Sequence, residues 1–180
     1  DPANQRIFDK FAARVLRTSV LGVKRMTDVF RKPAQAIPEA PARILVVKLW
    51  GLGALIWASP ALSTLRRRFP NAEITLLTRK GLETLYDATG LYDRSISWEA
   101  GTLGELPQAV RVFRDRVRER GFDLAVNFDG VSELAALLTH VSGAATTAGF
   151  VPQRGRRRGY TVPVVLDLGC HAGETFLDLA

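Results

Sequence analysis

The sequence predicts an α/β domain built on a doubly wound parallel sheet across residues 43–180, and three observations carry that prediction. Apolar runs of strand length recur along this region, rich in β-branched residues, with "RILVVKL" at 43–49 the first of them. Between them lie stretches whose apolar residues return every three or four positions, the period of a helix with one buried face. The two kinds of segment alternate in order, which favours parallel strands joined by right-handed crossovers.

Taken in turn, the strand at 43–49 is followed by a glycine-spaced turn and the helical stretch "SPALSTLRRRF" at 59–69. "AEITLLT" is the second strand, "GLETLYDAT" a helix, and "RSISW" the third strand. "ELPQAVRVFRDRVRER" is a long helix: Val110, Phe113 and Val117 share a face, and Arg111, Arg114, Arg118 and Glu119 occupy solvated ones. "FDLAVNF" and "SELAALLTHVSG" form the next strand and helix. "TTAGF" and "GYTVPVVL" are short extended segments around a basic loop, and "HAGETFLDLA" opens a final helix.

Two segments precede the domain. Residues 1–32 read as a basic amphipathic helix, with Phe8, Phe11, Ala12, Val15 and Leu16 on one side and Arg6, Lys10, Arg14 and Arg17 on the other. Such a helix suits an anionic membrane surface or packing on the domain or a partner. Residues 33–42 contain Pro33, Pro38 and Pro41 among small residues and read as a linker.

The totals bound the function. At 180 residues, 47% apolar and 24% charged, the chain has the size and balance of one folded domain. A formal net charge of +7 attracts anions, whether nucleic acid, acidic headgroups or phosphorylated substrates. Cys170 is the single cysteine, which excludes an internal disulfide or a multi-cysteine metal cluster and fits a cytoplasmic chain. No apolar run reaches the roughly 20 residues of a membrane span. The sequence starts at Asp1 without Met and stops inside a helix, so a fragment is expected.

In an open sheet of this kind ligands bind outside the carboxyl ends of the strands, so the residues just past each strand are the informative ones. Gly51-Leu52-Gly53 lies between a strand and a helix, as a dinucleotide-binding turn does, but Ile56 stands where G-x-G-x-x-G needs its third glycine. Arg79 at the end of the second strand is compatible with a phosphorylated cofactor, which leaves an NADP-binding Rossmann domain as a minor alternative. No G-K-[ST] follows the glycines, so a nucleoside-triphosphate loop is absent.

Lys48, Arg79 and Lys80 stand at strand ends where they can pair with substrate phosphates or carboxylates. Arg154, Arg156, Arg157 and Arg158 form a basic loop between Gly155 and Gly159 that reads either as a substrate contact or as a solvated loop. No aromatic residue is interleaved with that run, which argues against specific nucleic-acid binding. Trp50 and Trp57 flank the turn and suit either a sugar face or burial. His140 lies in an apolar helical stretch and reads as structural.

The stretch from "RILVVKLWGLGALIWASPAL" to "DRSISW" resembles the opening of family 9 glycosyltransferases, the ADP-heptose:lipopolysaccharide heptosyltransferases. Their first strand leads into an S-x-x-G-D turn and a T/S-P-A-L helix. The likeness continues through "RGFDLAVNFDGVSELAALLTHVSGAATTAGF", similar to the family's D-L-Q-G-L and S-G-A stretches, and through "HAGETFLDLA", where His171 matches a linker-helix histidine. It covers residues 43–180.

The resemblance implies the amino-terminal, acceptor-binding Rossmann-like domain of a two-domain GT-B enzyme. A nucleotide-sugar donor would be bound by a missing carboxyl-terminal half, and an anionic glycolipid or polysaccharide would be the acceptor. It implies inverting transfer at the cytoplasmic face of the inner membrane, as part of lipopolysaccharide biosynthesis, and the residues themselves offer no metal cluster and call for no cofactor. The residues read as substrate contacts, from their places at strand ends, in the turn and in the basic loop, are Lys48, Trp50, Gly51, Gly53, Arg79, Lys80, Asn127 and the loop arginines. The family's catalytic carboxylate falls on Ala54, whose methyl group cannot take a proton. The family's D-L-Q-G appears as Asn127-Phe128-Asp129-Gly130, so Asp129 is expected either as a relocated base or as the cap of the helix starting near Ser132. Loss of the base also raises a second reading, a noncatalytic glycan-binding or membrane-associated protein.

Overall fold

Strand β1, Arg43–Val47, is buried at four of its five positions. A strand covered on both faces needs helices on both sides of its sheet, and the computed structural model has them. It describes residues 36–85, 89–99, 103–130, 132–151, 159–166, 169, 172–178 and 180. The basic segment 1–32 and the arginine loop at 154–158 lie outside the described residues, as do Cys170 and His171.

The sheet has six strands, β1, β2 (Glu73–Arg79), β3 (Arg94–Trp98), β4 (Leu124–Asn127), β5 (Thr146–Val151) and β6 (Val162–Val165). Their order is β3-β2-β1-β4-β5-β6. Each adjacent pair is parallel. This is the doubly wound Rossmann order, in which the winding reverses between β1 and β4.

Alternation along the strands sorts the core into two layers. Ile44, Val46, Ile74, Leu76, Leu124 and Val126 point to the face covered by α2 (Ser59–Arg68), through Ala61, Leu62 and Leu65. Phe176 of α5 (Ala172–Leu177) joins this layer against Phe128 and Phe150. Leu45, Val47, Leu77, Ile96 and Trp98 face the other way, onto Phe113 and Val117 of α3 (Leu106–Arg118) and Leu134 and Leu138 of α4 (Glu133–Val141).

Two local expectations change. A six-residue helix α1, Leu52–Trp57, occupies what reads as a turn, so the helical region starts at Leu52 rather than Ser59. Gly51 makes this start possible: its φ of 81° is left-handed, and a Cβ there would lie 3.2 Å from that of Ala54. In the segment expected as a helix over 81–89, none of the described residues is α-helical: Glu83–Leu85 form a 3-10 turn and Thr89 is also 3-10.

Polar side chains tie the loops at the amino ends of the strands. Asp123 accepts the backbone N–H of Ala42 and Arg43 at 2.8 and 3.0 Å, fixing the end of the linker segment beside β1. Asp93 accepts from Arg66 at 2.6 Å and from the Ile74 N–H at 2.7 Å. Desolvation is the largest influence on Asp93 and opposes its charge. The Arg66 hydrogen bond, the Ile74 N–H and the charges of Arg66 and Arg94 outweigh it and hold its carboxyl below the ordinary value.

A depressed folded value means that the contribution of Asp93 is complete above its ordinary pKa of 3.8 and is lost as pH falls through the lower folded value. The pair is partly solvated and screened, so its share is about 1 kcal/mol or less. Urea midpoints measured from pH 6 down to pH 3 should therefore fall more steeply in the parent than in Asp93→Asn.

Candidate functional site

At the carboxyl edge, β1 hands its chain to α1 on one face while β4 leads to α4 on the other, so a crevice is expected between the two departing loops. Backbone hydrogen bonds carry the strand pairing to its rim, from Lys48 N–H to Leu77 C=O and from Phe128 N–H to Val47 C=O, both 2.9 Å. At this edge lies a buried ion pair. The Lys48 ammonium donates to Asp129, and their side chains are only 4% and 1% exposed.

Asp129 does more than neutralise Lys48. Its Oδ2 accepts the Leu49 N–H at 2.6 Å, and its Oδ1 accepts the Trp50 N–H at 3.3 Å. Lys48 also donates to the Trp50 carbonyl at 2.6 Å. The backbone of Trp50 is thus held at both its N–H and its C=O, and the two loops are closed into one unit.

Neither expected role of Asp129 fits this geometry. The α4 N-cap is Ser132, whose hydroxyl accepts from the Ala135 N–H at 3.3 Å. As a relocated base Asp129 would need an oxygen open to substrate. Its carboxylate is instead enclosed, facing an ammonium and two backbone N–H groups, because it must compensate the buried Lys48 charge.

Asn127, also fully buried, supports the clamp from below. Its Oδ1 accepts the Asp129 N–H at 2.8 Å, and its Nδ2 donates to the Tyr160 hydroxyl at 2.7 Å. The Tyr160 ring lies across Gly149 of β5, where an added Cβ would meet its Cε1 at 2.7 Å. The His140 ring lies tilted against that of Tyr160, their centroids 5.1 Å apart. Gly149→Ala should displace this ring and cost about 1–3 kcal/mol of stability in urea denaturation. Sequence spacing offers no sign of Tyr160 here, since it stands 33 residues from its partner.

The remaining expected residues separate. Arg79 is exposed and lies over the Trp50 ring, its guanidinium carbon 4.8 Å from the centroid. That occupies a face of Trp50 expected to meet a sugar. Lys80 pairs with Glu99 at 3.2 Å in a solvated contact. Gly53 is helical within α1 and its missing Cβ has no neighbour within 4 Å, so no close approach requires glycine there. Ala54 sits partly buried in the first turn of α1, directly above the clamp in sequence. Among the described residues, no three His, Cys, Asp or Glu side chains are grouped to hold a metal ion.

No protein-family model and no curated protein matches the sequence. Solved structures do match. A family 9 glycosyl transferase from Veillonella parvula aligns with a TM-score of 0.71 and 22% identity, over 80% of this chain and 41% of that one. The E. coli heptosyltransferase WaaC, solved with ADP, gives 0.61 and 19%, over 76% of this chain and 46% of its own. The E. coli ADP-heptose lps heptosyltransferase II gives 0.59 and 23%, over 76% and 39%. At these identities the likeness concerns the fold, and the chain spans less than half the length of each structure. The described domain is a doubly wound parallel sheet similar in fold to part of the family 9 glycosyltransferases.

Proposed function

We propose that this chain supplies the acceptor-binding side of a glycosyltransferase of heptosyltransferase type. The observation that carries this reading is the fold likeness over 80% of the chain, with the β1–α1 turn at the switch point where such a sheet receives its ligand. In the reaction, an acceptor hydroxyl attacks the anomeric carbon of a nucleotide sugar such as ADP-heptose, with inversion. The bond from that carbon to the diphosphate breaks as the new glycosidic bond forms, and the hydroxyl proton must leave. The nucleotide would be held by a second domain, the acceptor would be an anionic glycolipid or polysaccharide, and the site would work at the cytoplasmic face of the inner membrane.

The proton is where this chain departs from the pattern. Ala54 offers no acceptor at the expected base position, and Asp129, whose carboxylate contacts the turn, is enclosed with Lys48. Those two facts favour a second reading, a protein that binds an anionic glycan without transferring sugar. Full-length protein incubated with ADP-heptose and a lipid A-Kdo acceptor separates the two. Glycosylated acceptor supports transfer; saturable acceptor binding with no product after prolonged incubation supports the binding protein.

A further inference from the structure

Lys48, Arg79 and Lys80 all reach the carboxyl edge of the sheet, but their partners differ. Lys48 is enclosed with Asp129, and Lys80 is paired with Glu99. Arg79 is exposed, and among the described residues no carboxylate lies within ion-pair distance of it. Its contact is with the ring of Trp50, and that residue's backbone is held at both ends by the Lys48–Asp129 clamp.

The arrangement has a chemical consequence. Arg79 is exposed with its guanidinium over the Trp50 ring, and a guanidinium fork can receive two oxygens of a carboxylate or phosphate. An aromatic platform also limits the side chain's rotamers before a ligand arrives, so less freedom is lost on binding. The backbone that carries this platform is held by the buried Lys48–Asp129 pair at the carboxyl edge of the sheet.

We infer that the Arg79–Trp50 stack is an oxyanion-binding site that selects an acceptor carrying a phosphate or carboxylate group. This deepens the acceptor-binding reading and rests on it for its biological ligand, while the site's chemistry stands independently of sugar transfer. Arg79 is a binding residue and takes no part in moving the proton.

The test is calorimetric titration of the full chain, without any sugar donor, using inorganic phosphate and D-glucuronate as probes and D-glucose as the neutral control. The parent should bind at least one of the two anions and not glucose; tighter phosphate points to a phosphorylated acceptor, tighter glucuronate to an acidic sugar. Arg79→Gln should weaken the preferred anion about tenfold or more. Arg79→Lys and Trp50→Leu should each weaken it by about three- to tenfold, since a flexible point charge or an unsupported guanidinium lacks the held fork. Arg67→Gln removes an equal charge from α2 and should change little.

Binding of neither anion, or equal affinity in the parent and Arg79→Gln, overturns the site. Parent-like affinity in Arg79→Lys overturns the role of the stack. Because no donor is present, a protein that fails to transfer sugar can still pass this test, and one that transfers sugar can still fail it.

Discussion

Asp129→Ala should lower unfolding stability by about 3–5 kcal/mol, because it leaves the Lys48 ammonium buried without a counter-charge. The same change strips the acceptor from the Leu49 and Trp50 N–H groups, so the loss extends beyond one ion pair. Lys48→Met should be nearly as damaging, since it leaves the carboxylate in the same enclosed place. The double variant Lys48→Met/Asp129→Asn removes both charges and keeps an oxygen for the two backbone donors. Its loss should be clearly smaller than the sum of the Lys48→Met and Asp129→Asn losses, with a coupling of about 1–3 kcal/mol. Urea denaturation of the parent, Lys48→Met, Asp129→Asn and the double variant measures this cycle. Additive losses would mean that Lys48 and Asp129 act separately, and the clamp would be wrong.

The second large effect concerns rate. Ala54→Asp places a carboxylate in the first turn of α1, where the helix dipole favours a negative charge and the site is only partly buried. A positioned general base contributes about 10²–10⁴-fold, so transfer by the full-length protein should rise by at least the lower figure. Ala54→Asn has nearly the same shape but is not basic, and it should stay at the parent's level. If both variants match the parent, the step that limits transfer is something other than deprotonation at this turn.

Much of the fold is legible in the sequence because its physical causes are local. Buried parallel strands need continuous apolar runs such as "RILVV" and "EITLL", and α3 announces itself through Val110, Phe113 and Val117. Helix α1 is hidden because Gly51 and Gly53 both look like turn residues, although only Gly51 has a left-handed backbone. The segment at 81–89 has helical spacing, yet Gly81 adopts a φ of 89° at its start and the described residues that follow are turn or 3-10 rather than α-helix.

The site is less legible, and the reason is distance along the chain. Lys48 and Asp129 are identifiable as residues just past a strand and Asn127 as a strand's last residue, but Lys48 and Asp129 are 81 positions apart. Nothing in their spacing shows that one closes upon the other. An acidic residue after a strand carries the same letter whether it is open to a substrate or enclosed as a counter-ion. Only the winding reversal between β1 and β4 brings this carboxylate under the first loop. Arg79 over Trp50 is a similar case: β1 and β2 lie side by side, so residues just beyond or at their carboxyl ends stack although 29 positions separate them.

Initial transfer rates from ADP-heptose, compared among the full-length parent, Ala54→Asp and Asp129→Asn at a temperature where circular dichroism shows all three folded, test the central claim most directly. With Asp129 as a clamp and the base position empty, Ala54→Asp should exceed the parent, and folded Asp129→Asn should stay close to it. A parent that is fully active, unaffected by Ala54→Asp and silenced by Asp129→Asn while still folded would contradict the account.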